Sequence, residues 1–70
     1  MYILECIENG EIVDTLTTER IEEIGKFFNK NNHVIGVQNS MKTIEQLEEN
    51  ESFKFYKNRN RQKYIEVTRQ

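Results

Sequence analysis

Cys6 and His33 are the chain's one thiol and one imidazole, so any nucleophile–base dyad would have to be built from them. Such a dyad needs the two side chains in contact and an oxyanion hole beside them. Cys6 falls in the middle of an expected strand, where a thiol is normally a small buried hydrophobe. One cysteine and one histidine are also too few for a Cys/His zinc site within a single chain. A different chemistry is open to Glu5 and Asp14. The hairpin register described below sets them opposite each other, and two carboxylates a few ångström apart resist joint ionisation, which raises one pKa. That is the raw material of general-acid catalysis. The simpler use of the pair is to receive an Arg or Lys, from a partner or from the basic C-terminal segment. Gly10, Gly25 and Gly36 are scattered and fit neither a P-loop nor a dinucleotide fingerprint. No catalytic residue, metal or cofactor is expected from these residues, and the chain reads as non-enzymatic.

The remaining polar groups suggest binding. Lys54, Tyr56, Lys57, Arg59, Arg61, Lys63 and Tyr64 crowd into eleven positions near the C-terminus. Aromatic rings on a sheet beside cations are the ingredients of single-strand nucleic-acid binding, since bases stack on rings and cations meet phosphates. The plainer reading is a cross-strand Tyr pair and a solvated turn, with Lys and Arg guarding an exposed edge. Glu45, Glu48, Glu49 and Glu51 cluster, as do Glu19, Glu22 and Glu23. Such arrays can mimic DNA phosphates, but Lys26 and Lys30 interrupt the second group. Both groups read best as solvated helix faces.

The elements that must position these groups follow from turn and periodicity signals. Tyr2 to Glu8 and Glu11 to Leu16 read as strands joined by Asn9-Gly10, the pair a type I′ turn demands. That turn sets Cys6 against Val13 and Leu4 against Thr15 on one face. On the other it sets Ile7 against Ile12, Glu5 against Asp14 and Ile3 against Leu16. A helix follows, capped by Thr17 or Thr18, with Leu16 and Ile21 forming a hydrophobic staple if Thr17 is the cap. It runs to about Asn29 or Lys30. Ile21, Ile24, Gly25 and Phe28 share one face, and Gly25 would let the helix approach the sheet. Asn31-Asn32 ends it. His33 to Gln38 reads as a third, central strand. Thr43-Ile44-Glu45-Gln46 matches a capping box, predicting a short helix from Ile44 to Asn50. Ser52 to Lys57 and Gln62 to Arg69 form a second hairpin around Asn58-Arg59-Asn60-Arg61.

The order is therefore β-β-α-β-(α)-β-β. It predicts a single α+β domain over residues 1–70, with a small, mostly antiparallel sheet and one main helix packed on one face. Charged residues make up 31% and hydrophobic residues 36%, but the apolar residues cluster periodically, unlike a disordered chain. No run approaches the ~18 apolar residues of a membrane span. The N-terminus lacks the basic and apolar regions of a signal peptide. A cytoplasmic protein with a reduced thiol is the expectation. The chain has no Ala, Pro or Trp and is rich in Asn, Ile, Lys and Glu. That bias is typical of AT-rich genomes and of the small reading frames carried by phages and plasmids.

A chain of 70 residues buries a small share of its surface. With disulfide and zinc staples excluded, a partner or a homo-oligomer is the compensation left. Charge is split as well. Residues 1–51 hold eleven acids and four bases, and residues 52–70 hold one acid and six bases. Both faces of the N-terminal hairpin look apolar, and one helix covers only one of them. The expected contact surface is the uncovered face, with Ile3, Ile7, Ile12 and Leu16 as its centre and Glu5 and Asp14 setting specificity. The chain therefore reads as a protein-binding module, a small regulator or inhibitor of a host protein. Nucleic-acid binding through the tyrosine-bearing hairpin is the alternative.

Overall fold

The computed structural model describes residues 1–33, 37–57 and 61–70, and for residues 37–40 the backbone alone. Asn9 and Gly10 both take positive φ, 54° and 83°, so the first hairpin turns as their types dictate. The turn joins β1 (Tyr2–Glu8) to β2 (Glu11–Thr18). Helix α1 (Ile21–Lys30) and helix α2 (Val37–Glu45) follow, and the chain closes with β3 (Ser52–Tyr56) and β4 (Lys63–Arg69). The sheet is antiparallel throughout, in the order β2-β1-β4-β3. This is the α+β class the sequence implies, a small antiparallel sheet with one main helix and one short one.

The core lies between the sheet and the helices. Leu4 and Cys6 from β1, Ile65 and Val67 from β4, Ile24, Phe27 and Phe28 from α1, and Ile44 and Leu47 from the second helical region form one buried cluster. Leu16, Met41, Tyr2 and Phe55 pack against its margin. Phe28 meets Phe55 edge-on at 5.5 Å, which ties α1 to the edge strand β3.

Helix α1 begins later than its threonines suggest. β2 continues through Thr18, which pairs with Tyr2, so neither Thr17 nor Thr18 is the cap. The Thr18 hydroxyl accepts the Arg20 N–H at 3.0 Å, and Arg20 takes the N-cap position. At the other end Asn32 has φ 58°, its N–H reaches the Asn29 carbonyl at 3.0 Å, and the His33 N–H reaches the Phe28 carbonyl at 2.8 Å. These two bonds make a Schellman ending. The accompanying side-chain contact is the His33 ring edge-on to Phe28 at 5.5 Å.

The segment after α1 differs from the sequence reading. Residues 37–38, expected in a third strand, open helix α2, and the short helix expected over 44–50 instead finishes at Glu45. The remainder of the expected strand, residues 34–36, lies outside the described residues. Val37, Met41 and Ile44 recur at helical spacing, and this period outweighs the local apolar run that suggested a strand. Gly25 was expected to permit close packing of α1, yet a Cβ there would meet nothing within 4 Å.

Candidate binding face

The register in β2 decides which side chains reach the open face of the sheet. Ile7 pairs with Ile12, as the turn requires, but Cys6 pairs with Asp14. Val13 is an extra residue, a β-bulge, and every later position of β2 is shifted by one. A one-residue shift exchanges the faces of a strand. Leu16 therefore pairs with Leu4 and joins the core margin, and Glu5 pairs with Thr15. The expected opposition of Glu5 and Asp14 is not formed, and Asp14 and Leu16 leave the surface proposed from sequence. Burial of Leu16 against the helix is the gain that the bulge secures.

Asp14 instead joins β2 to the end of α1. Its carboxylate accepts from the Asn31 amide at 3.1 Å and the Thr15 N–H at 3.0 Å, and pairs with Lys30 Nζ at 3.2 Å. The Asn31 hydrogen bond first, and Lys30 next, hold this carboxyl below the usual range. The sequence reading looked for a raised pKa here, and the structure gives the opposite direction.

Alternation then defines the open face. Leu4, Cys6, Ile65 and Val67 point to the helices. The residues between them, Ile3, Glu5, Ile7, Tyr64, Glu66 and Thr68, point the other way. No described element covers them. Across the strands they fall into three rows. Ile12, Ile7, Tyr64 and Tyr56 make an apolar and aromatic row. Thr15, Glu5, Glu66 and Lys54 make a charged row. Thr17, Ile3, Thr68 and Ser52 make the third, in which the Ser52 and Thr68 hydroxyls lie 2.8 Å apart. Ile12 is 57% exposed, and Val13 and Tyr56 are also open to solvent.

The two surfaces suggested by the sequence thus meet on one face. Ile3, Glu5, Ile7 and Ile12 come from the first, and Tyr56, Tyr64, Lys54 and Arg61 from the second. Tyr56 and Tyr64 pack at 5.4 Å between ring centres. Lys54 Nζ stands over the Tyr64 ring and the Arg61 guanidinium over the Tyr56 ring, each at 5.3 Å. Lys63 alternates with Tyr64 and so belongs to the helix side, and Lys57 acts electrostatically on His33 and Cys6. Arg59 lies outside the described residues. Glu66, which sequence reasoning passed over, faces Glu5 from the neighbouring central strand. Its signal was that it is the one acid among the six bases of residues 52–70.

The other chemistry-bearing groups are built into the core. Burial pushes the Cys6 thiol up, with Glu8 and Asp14 adding to the effect, the reverse of what a thiolate nucleophile needs. Burial lowers His33, and Lys57 lowers it further. Among the described residues no three of His, Cys, Asp or Glu converge on a metal position, and no helix is long and apolar enough to cross a membrane. A groove of about 340 Å³ runs between β2 and α1, over Leu16 and Phe27. Its walls mix Arg20, Lys26 and Lys30 with Glu22 and Glu23, and Lys30 is already paired with Asp14. The chain matches no protein-family model, no curated protein and no solved structure.

Proposed function

We propose that this chain is a non-enzymatic protein-binding module whose contact surface is the open face of its sheet. The observation that carries the reading is the continuous row Ile12–Ile7–Tyr64–Tyr56, which crosses all four strands on the side away from the helices. Ile12 and Tyr56 at the ends of the row are exposed and Ile7 and Tyr64 between them are half-buried, and a contiguous apolar row that no described element covers marks an interaction site. Glu5 and Glu66 beside the row favour a protein surface carrying a cation over a phosphate backbone. The composition suits a small cytoplasmic regulator or inhibitor of the kind mobile elements carry. A photoreactive phenylalanine analogue in place of Tyr64, irradiated in extract of the native host, tests the reading. Protein adducts that vanish when Ile7→Glu is added are expected. Adducts to nucleic acid alone, or adducts indifferent to Ile7→Glu, would overturn it.

The cations stacked over Tyr56 and Tyr64 favour a second reading, in which the same rings stack on the bases of a single strand. Binding of that kind weakens steeply with salt, because phosphate contacts release counterions. Arg61→Ala would remove one such contact and flatten the salt dependence. An oligonucleotide affinity that ignores both salt and Arg61 excludes it.

A further inference from the structure

Resting on the reading that a protein covers the open face, we infer that this protein is a second copy of the same chain, packed face to face about a two-fold axis that runs along the row Ile12–Ile7–Tyr64–Tyr56. Stacked sheets can be related by a two-fold axis only if it lies between them, parallel to both. Two simple directions exist, along the strands or across them.

The charges on the face decide between these directions. An axis along the strands reverses the strand order without inverting the strands. It would place Glu5 and Glu66 of one copy on Glu66 and Glu5 of the other, gathering four carboxylates in a dry interface. Like charges brought together there repel strongly, and such juxtapositions select against a packing. An axis along the apolar row keeps the strand order and inverts the strands. Each apolar side chain then meets its own counterpart, and the charged row of one copy lies over the turn end of the other. Arg61 stands at that turn end, above Tyr56 on the open side. In this arrangement it reaches the other copy's Glu66, and the symmetry makes the contact twice. The Glu5–Glu66 opposition is unfavourable within one chain and has Lys54 on its Glu66 side only, and the contact adds a second cation from the other copy.

The whole protein measures 28 × 21 × 18 Å, so the shared area is small. Interfaces under ~1,200 Å² in total belong to transient complexes. The dimer is therefore sought at high protein concentration.

Charge reversal provides the test, read by sedimentation equilibrium. Wild type should dimerise at high micromolar concentration. Arg61→Glu and Glu66→Arg should each weaken the dimer by about tenfold or more, since each is repulsive at both symmetric contacts. An equimolar mixture of the two variants should recover a dimer near wild-type affinity, because both contacts become Arg–Glu again. Circular dichroism of each variant checks that these substitutions on the open face leave the fold intact. A wild type that stays monomeric, or variants that fail to rescue each other, would overturn the inference. If wild type is monomeric while Tyr64 cross-links a different protein, the face still serves protein binding and only the second copy is wrong. If Tyr64 cross-links no protein at all, the broader reading falls as well.

Discussion

Ile7 stands directly across from Tyr64 on the seam between β1 and β4, and this pair joins an aliphatic hairpin and an aromatic hairpin into one surface. Ile7→Glu places a third carboxylate beside Glu5 and Glu66 without touching the core. The fold should remain, with a far-ultraviolet spectrum like wild type. Any association through the face should weaken by about 2 kcal/mol, the scale of burying one aliphatic side chain. Equal self-association or partner affinity in the variant would show that the row is not the contact.

Deleting Val13 removes the bulge but leaves the rest of β2 in its pairing, because the Asn9-Gly10 turn alone then sets Asp14 against Cys6 and Leu16 against Leu4. Leu16→Ala instead removes the side chain whose packing on the core selects the bulged register. Leu16→Ala should cost about 2 kcal/mol, read as a fall in the urea midpoint, and the Val13 deletion clearly less. A deletion as costly as Leu16→Ala would show that the bulge does more than set the register.

The glycines separate two effects. Gly10 holds φ 83° with open space around its Cβ position, so Gly10→Ala meets no clash and costs only the left-handed backbone, about 1–2 kcal/mol. Gly25 sits inside α1, also with open space, and there alanine is the better helix former by about 0.8–1.0 kcal/mol. Opposite shifts in melting temperature are expected from the same substitution. A destabilising Gly25→Ala would show that the helix approaches something closely at that point after all.

His33 gives the fold a pH dependence. Burial, then Lys57, lowers its pKa below 6.5, so the folded chain resists a proton that the unfolded chain accepts. Stability is therefore complete above about pH 6.5 and falls as pH drops from there through the folded value. Asp14, also lowered, contributes a separate loss that begins only near pH 4. Urea titrations at neutral pH and between pH 5 and 6 should show the first loss in wild type and less of it in Lys57→Ala. Identical pH profiles for the two proteins would sever Lys57 from His33.

Most of the local structure was readable from short-range signals. Asn9-Gly10, the apolar stripe of α1, the Asn31-Asn32 stop and the alternation in Phe53–Tyr56 and Tyr64–Val67 each predict what forms. The bulge was not readable, because Val13 fits a strand as well in register as out of it. Only the burial of Leu16 against α1 selects the shift. Helix α2 was obscured by a locally β-like run whose helical period emerges only when Val37, Met41 and Ile44 are counted together. The candidate face depended on a long-range fact, the pairing of β1 with β4. Separate hairpins gave two partial surfaces, and their adjacency makes one.

That same pairing sets an order on folding. The seam at the middle of the sheet joins residues 2–8 to residues 63–69, nearly the whole chain apart. Each hairpin can close early, over a short loop, but the innermost ladder must wait for the most distant partners, and such non-local closure slows folding. During synthesis β1 and β2 emerge well before β4 exists, with Leu4 and Cys6 unsealed and the inner edge of β1 unpaired. The nascent chain is therefore most exposed to misassociation until β4 has emerged, at which point one event completes the core and the outer surface together.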